Sequence, residues 1–196
     1  MRLCMLRHAT TDWNERGLIQ GHTDRPLSPV GRAEAGAWHL PPGFARATCV
    51  TSPLRRTRET AALLGFVDPA SDPRLAEMHW GAFEGRQLPE LRAEQGDGLA
   101  AREALGLDFR PPGGESPREV VARLRGYLAE LAGGAGPHVL VTHKGVLRAA
   151  LVLAFAWDML GKPPVRLETG LALLFELAPD GTLTFTAATS LGQTPA

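Results

Sequence analysis

Apolar positions along this chain fall into two patterns that alternate. Short apolar runs stand at Arg2–Leu6, Ala47–Thr51 and His138–Thr142, each passing into polar residues, and each reads as a buried strand. Between them lie stretches with helix start signals. Ser28-Pro29 places a cap and a first-turn proline ahead of a helix over Arg32–Leu40. Ser116-Pro117-Arg118-Glu119 is a capping box with proline at the first helical position, and predicts a helix to about Ala132, where Gly133-Gly134 stops it. Leu54–Leu64 and Val146–Ala156 are predicted as further helices. Leu171–Leu177 and Thr182–Ala188, joined through Pro179-Asp180-Gly181, read as a β-hairpin.

Strands alternating with helices predict an α/β sandwich around a mostly parallel sheet, with the antiparallel hairpin at one edge. The segment 68–114 is broken by proline and glycine, with short helices near Leu88–Glu94 and Leu99–Leu105, and is expected to form a lid or substrate wall. Glycine and proline are otherwise spread as punctuation, without repeat or long linker, so residues 1–196 are expected to form one domain.

Composition narrows the class. With 44% hydrophobic and 21% charged residues the chain can bury a real core, which excludes disorder, collagen and disulfide scaffolds. The 21 basic residues balance 21 acidic ones, so charge makes no case for nucleic acid or an anionic membrane as partner. Cys4 and Cys49 sit in apolar runs and read as reduced, buried thiols. Leu3–Leu6 is too short for a signal-peptide core, and Ala149–Trp157 falls short of the roughly 20 residues a membrane span needs. A cytoplasmic protein is expected.

In open α/β sheets ligands bind beyond the carboxyl ends of the strands. The first predicted strand runs into Arg7-His8-Ala9-Thr10-Thr11, the second into Ser52-Pro53-Leu54-Arg55-Arg56-Thr57, and the third into His143-Lys144-Gly145. Histidines and arginines from separate strands thus collect at one sheet edge, which predicts an anion site with phosphate as its natural occupant. A metal site is the competing use of two histidines and a carboxylate. Flanking guanidiniums would repel a cation and no HxxxH or HxH spacing occurs, so no metal is expected.

These residues carry a resemblance. Leu6-Arg7-His8-Ala9-Thr10-Thr11-Asp12-Trp13-Asn14 resembles the opening of the histidine phosphatase (phosphoglycerate mutase-like) superfamily. The likeness continues through Gln20-Gly21-His22-Thr23-Asp24-Arg25-Pro26-Leu27-Ser28 and Ser52–Ala61. It recurs at Leu75-Ala76-Glu77, Gly81–Gly85, Pro112–Ser116 and Val141–Val146, in the family's order and over nearly the whole chain. It implies a three-layer α/β/α sandwich with His8 as the nucleophile that becomes a phosphohistidine. By the same likeness Arg7, Arg55 and His143 clamp the phosphoryl oxygens, Asn14 adds a donor, Glu77 is the general acid, and Gln20 and Gly21 approach the substrate. Cationic donors at the phosphoryl oxygens would supply the charge stabilisation, with no cofactor needed. His8 must be neutral to attack, and a second histidine on the phosphate is best charged. The sequence departs from the family at Ala9, where glycine is common, and at Thr10, where an acidic residue often stands.

The resemblance implies a phosphomonoester hydrolase acting on a small phosphorylated metabolite, with a homodimer as the oligomer it suggests. Its compact layout is similar to bacterial α-ribazole phosphatases, making α-ribazole 5′-phosphate the first specific guess. Two alternatives stand beside it. A phosphoglycerate mutase would share every catalytic residue, but mutases of the family carry a longer insertion after the Glu77 region and an extended tail, whereas only Thr189–Ala196 follows Ala188 here. A non-catalytic phosphoprotein-binding module would need neither His8 nor Glu77. Trp80, His22 and His79 are further candidates for substrate contact, while Arg56 and Arg58 are expected at the surface or in helix packing.

Overall fold

Along the first strand, β1 (Arg2–Arg7), successive side chains go to opposite cores, and this alternation sets the layering of the computed structural model, which describes residues 1–192. Leu3 and Met5 join one apolar cluster with Val121 and Leu124 of α5 (Pro117–Leu131) and Val146 and Leu147 of α6 (Lys144–Phe155). Cys4 and Leu6 join the other, with Ala61 of α3 (Arg55–Leu63). In β4 (His138–Thr142) Leu140 faces the first cluster, Val139 and Val141 the second. Helices therefore cover both faces, giving three layers. The buried thiols of Cys4 and Cys49 are free, and burial pushes both up to about 12.

The remaining elements are α1 (Asp12–Glu15), α2 (Pro29–Gly36), β2 (Thr48–Thr51), β3 (Ala70–Ser71), α4 (Leu88–Glu103), β5 (Leu171–Leu177) and β6 (Leu183–Ser190). The strand order is β3-β2-β4-β1-β5-β6. The first four are parallel, and β5 and β6 add the expected antiparallel hairpin at the edge. Thr189 and Ser190 extend β6, while residues 193–196 of the tail lie outside the described residues.

The capping box forms as the sequence implies: Ser116 Oγ accepts from Glu119 N, and the Glu119 side chain accepts from Ser116 N. The two short helices expected in 68–114 are present as the two halves of α4, which meet at a non-helical kink at Gly96 with φ 47° and ψ −130°. Only glycine reaches that conformation cheaply, so the break between the two helices falls at Gly96. α2 is also shorter than expected, ending at Gly36 ahead of Pro41-Pro42. Among the described residues no helix is long and apolar enough to cross a membrane.

Register positions the site. Arg7 pairs with Thr142 and Thr51 with Val141, so β1, β4 and β2 end together. The backbone N–H of His8 then reaches Thr142 O at 3.0 Å, and that of Ser52 reaches Val141 O at 3.2 Å. The residues that come after each strand are thereby brought side by side.

Candidate active site

His8 is enclosed at the end of β1, with its ring centroid 5.2 Å from that of His143 at the end of β4. Its Nδ1 lies 2.7 Å from the Ala9 carbonyl oxygen. A carbonyl only accepts, so Nδ1 carries the proton and Nε2 keeps a free lone pair. Burial, then the charges of Arg7 and Arg56, hold His8 well below the ordinary imidazole range, so the ring is neutral. Ala9 does not distort this loop. Its methyl packs with Leu27 and Ala35, its N–H donates to Thr60 Oγ1 at 3.1 Å, and it is not among the non-glycine residues with positive φ.

The arginine assignment needs correction. Arg55 is directed to the surface: its side chain is 60% exposed and its Nε pairs with Glu59 at 2.6 Å. Arg56 is the buried one, with none of its surface exposed. It donates Nη2 to Gly21 O at 2.8 Å, Nη1 to Thr23 O at 3.1 Å and Nε to His143 Nδ1 at 3.3 Å. Two N–H groups remain, one on each terminal nitrogen. Successive helical residues differ by about 100° in direction, so only one of the pair can face the site. The signal was present in Thr57, Thr60 and Ala61, the small buried face of α3, because Arg56 lies one turn before Thr60 on that face.

His143 has both ring nitrogens engaged. Since Arg56 can only donate, Nδ1 accepts, and the proton sits on Nε2, which donates to Ser52 Oγ at 2.8 Å. Burial and the charge of Arg56 push its pKa well below the ordinary value. The ring is therefore neutral here, and reaching a phosphoryl oxygen would require it to release Ser52. Arg7 donates Nη1 to Thr169 Oγ1 at 3.4 Å and keeps its enclosed Nε unpartnered.

Glu77 is buried on the loop before α4. Its Oε1 accepts the N–H groups of Met78 and Gly145, each at 2.9 Å, which leaves Oε2 to carry a proton. Those amides and the guanidiniums of Arg56 and Arg7 favour the carboxylate, but burial outweighs them and the pKa is raised. His8 and Glu77, with Arg7, Asn14 and Gln20, line a cavity of about 680 Å³. Asn14 spends Oδ1 on the N–H and hydroxyl of Thr11, and its Nδ2 donor has no partner among the described residues. Gln20 gives Nε2 to Thr11 Oγ1 at 2.7 Å and keeps an enclosed, unpartnered Oε1.

Gly21 does not line the cavity; its carbonyl holds Arg56 instead. A Cβ at Gly21 would lie 2.0 Å from Glu84 Oε1, so glycine is needed for close approach to that carboxylate. Glu84 accepts from His22 N, Thr23 N, Thr23 Oγ1 and Trp80 N. It thus staples the loop that holds Arg56 to the segment that carries Glu77. His22 completes the link by donating Nε2 to Glu77 O at 2.9 Å. Trp80, Leu88, Arg92 and Phe109 of segment 68–114 form part of the cavity wall, whereas His79 lies outside it. Among the described residues no group of three His, Cys, Asp or Glu side chains is placed to hold a metal.

Comparison with known proteins shows the family and the fold. A sequence model of the histidine phosphatase superfamily (branch 1) matches residues 3–182. The chain is 32% identical over 194 residues to a 2,3-bisphosphoglycerate-dependent phosphoglycerate mutase of Methylobacterium radiotolerans, with 92% of each chain covered. It is 39% identical over 163 residues to a glucosyl-3-phosphoglycerate phosphatase of Mycobacterium tuberculosis, covering 76% of this chain and 72% of that one. The fold matches a mycobacterial glucosyl-3-phosphoglycerate phosphatase in complex with VO3 at TM-score 0.75 and 31% identity, over 94% and 96% of the two chains. It matches TTHB049 from Thermus thermophilus at TM-score 0.74 and 33% identity, over 97% and 99%. Relatives with mutase names are thus of similar extent, and compactness does not separate phosphatase from mutase.

Proposed function

Starting from a chain that belongs to the histidine phosphatase superfamily (branch 1), we propose that it is a metal-independent phosphomonoester hydrolase for a small phosphorylated metabolite. The observation that carries this reading is the pairing, in one cavity, of a neutral His8 whose free atom is Nε2 with a Glu77 whose pKa is raised. A nucleophile without its proton and an acid that keeps its own are what phosphoryl transfer to nitrogen requires.

In the first step the Nε2 lone pair forms a bond to phosphorus as the ester P–O bond breaks. Glu77 passes its Oε2 proton to the departing alkoxide oxygen. In the second, water attacks phosphorus, gives its proton to the Glu77 carboxylate, and the N–P bond breaks to release inorganic phosphate and neutral His8. Splitting the reaction replaces one hard displacement with two easier ones. Arg7, the Asn14 amide and the spare N–H groups of Arg56 stabilise the equatorial oxygens.

The mutase reading is favoured by the names and coverage of relatives such as that of Methylobacterium radiotolerans. It differs only in the acceptor of the second step, an alcohol in place of water. Hydrolysis of p-nitrophenyl phosphate in EDTA, by wild type and His8→Ala, tests the proposal. EDTA-resistant phosphate release that vanishes in the variant supports it; release that EDTA abolishes, or that survives in His8→Ala, overturns it. A screen of α-ribazole 5′-phosphate, glucosyl-3-phosphoglycerate and 3-phosphoglycerate then addresses the substrate.

A further inference from the structure

Thr142, the last residue of β4, makes two bonds that together span the proposed reaction centre. Its carbonyl oxygen accepts the N–H of His8 at 3.0 Å. Its hydroxyl donates to the carbonyl of Leu75 at 2.7 Å, and Leu75 stands two residues before Glu77. One residue is therefore bonded to the main chain of both segments, that of the nucleophile and that of the acid. Strand alternation sets the direction. Leu140 faces the cluster that contains Leu75 and Met78, so the side chain of Thr142 faces it as well.

The hydroxyl is not needed to fill the space. Thr142 and Leu75 are wholly enclosed, and valine, which stands at 139 and 141 of the same strand, has the same branched shape. What the hydroxyl adds is a directed bond between buried groups, costly to leave unmade, which fixes where the chain before Glu77 runs. Leu75 closes a single 3₁₀ turn, Pro73–Leu75, too short to hold its own carbonyls. The other ties of this segment reach different points. Arg123 of α5 binds the Arg74 carbonyl, and His22 binds the Glu77 carbonyl. Met78 N and Gly145 N hold the Glu77 carboxyl itself, at Oε1. Thr142 joins the main chain leading into Glu77 to the strand end against which His8 is set.

We propose that Thr142 is a positioning residue, whose hydroxyl sets the reach of the Glu77 carboxyl toward the leaving oxygen of an ester held at His8. The inference rests on Glu77 being the general acid. Without the hydroxyl, the Leu75 carbonyl loses its partner and the chain before Glu77 shifts. His8 stays in place, because the Thr142 carbonyl is still there to bind it. Proton delivery then suffers while attack on phosphorus does not. A misplacement of about 1 Å can cost such a step about 10²-fold.

Leaving groups test this. Thr142→Val removes the hydroxyl and keeps the branched shape, whereas Thr142→Ser keeps the hydroxyl. For each variant kcat is measured on β-glycerophosphate and on p-nitrophenyl phosphate, below its melting temperature. Thr142→Val should lose about tenfold or more on the alkyl ester and less than about threefold on the aryl ester. Thr142→Ser should stay within about threefold of wild type on both. If the valine variant does not fold, Thr142→Ala removes the same hydroxyl without the branched side chain and carries the comparison. A hydroxyl with a structural role alone would lower the melting temperature and slow both esters alike, or neither, and either result overturns the proposal. So does a serine variant as slow on the alkyl ester as the valine one. Failure of the acid reading shows separately: Glu77→Gln then slows both esters equally, whereas a wrong role for Thr142 leaves Glu77→Gln selective.

Discussion

Arg56 donates its Nε–H to Nδ1 of His143 across 3.3 Å, joining the helix after β2 to the residue that follows β4. The bond fixes the tautomer of His143, and the arginine is fixed in turn by the carbonyls of Gly21 and Thr23. Arg55, one residue earlier, is bound to Glu59 at the surface. Arg56→Ala should therefore lower kcat/KM for p-nitrophenyl phosphate by about 10²–10³-fold, the usual scale for losing one donor to a developing charge. Arg55→Ala should change it by less than about threefold, since surface pairs contribute little. Steady-state kinetics below both melting temperatures would decide between them, and equal losses would return Arg55 to the site.

The raised pKa of Glu77 predicts a leaving-group effect. Glu77→Gln should slow an alkyl phosphate by about 10²–10⁴-fold and an activated aryl phosphate much less, because phenolates depart with little protonation. Parallel losses on β-glycerophosphate and p-nitrophenyl phosphate would remove Glu77 from the acid role.

The pH profile has a predictable sign. Activity needs His8 unprotonated and Glu77 protonated. His8 is depressed below the usual imidazole range, so the acid limb of kcat/KM should fall well below pH ~6.5. Glu77 is raised, so the alkaline limb should lie above the ordinary carboxylate value of ~4.3. Glu77→Gln should remove the alkaline limb while the acid limb stays. A profile whose alkaline limb survives that substitution would show another group to be the acid.

Gly145 offers a test of how Glu77 is held. Its N–H binds Oε1, and a Cβ there would stand 2.2 Å from that same oxygen. The clash is with the end of a side chain, so Gly145→Ala should fold and melt within a few degrees of wild type while displacing the carboxyl. Alkyl phosphate turnover should fall about tenfold or more, with aryl phosphate affected less. Unchanged alkyl turnover would mean that the carboxyl can move without consequence.

Glu84 does not line the cavity, yet it ties the Arg56-holding loop to the Glu77 segment through four donors. Glu84→Gln should reduce kcat by about 10-fold or more with a smaller change in KM, as expected when alignment in the transition state is lost. Equal changes in both parameters would make Glu84 a binding residue instead.

Much of this was legible in one dimension. The apolar runs at Arg2–Leu6 and His138–Thr142 could bury their side chains only within a covered sheet, and the capping box at Ser116 could satisfy its amides only by starting a helix. The placing of Arg7 and His8 at a strand end was legible from the apolar run before them, whereas Glu77 was picked out only by the family resemblance. What local pattern could not decide was direction and company. Whether Arg55 or Arg56 turns inward depends on helix phase, and that is settled by the packing of Thr57 and Thr60 against the sheet. The charge of His143 is disfavoured first by its burial and then by a guanidinium 87 residues away along the chain, which also sets its tautomer. His8 and His143 come side by side only because β4 ends level with β1. Hydrophobic period and turn chemistry act between near neighbours and so survive in the sequence. Burial, charge and proton position are properties of everything within a few ångströms, and those neighbours are chosen by the fold.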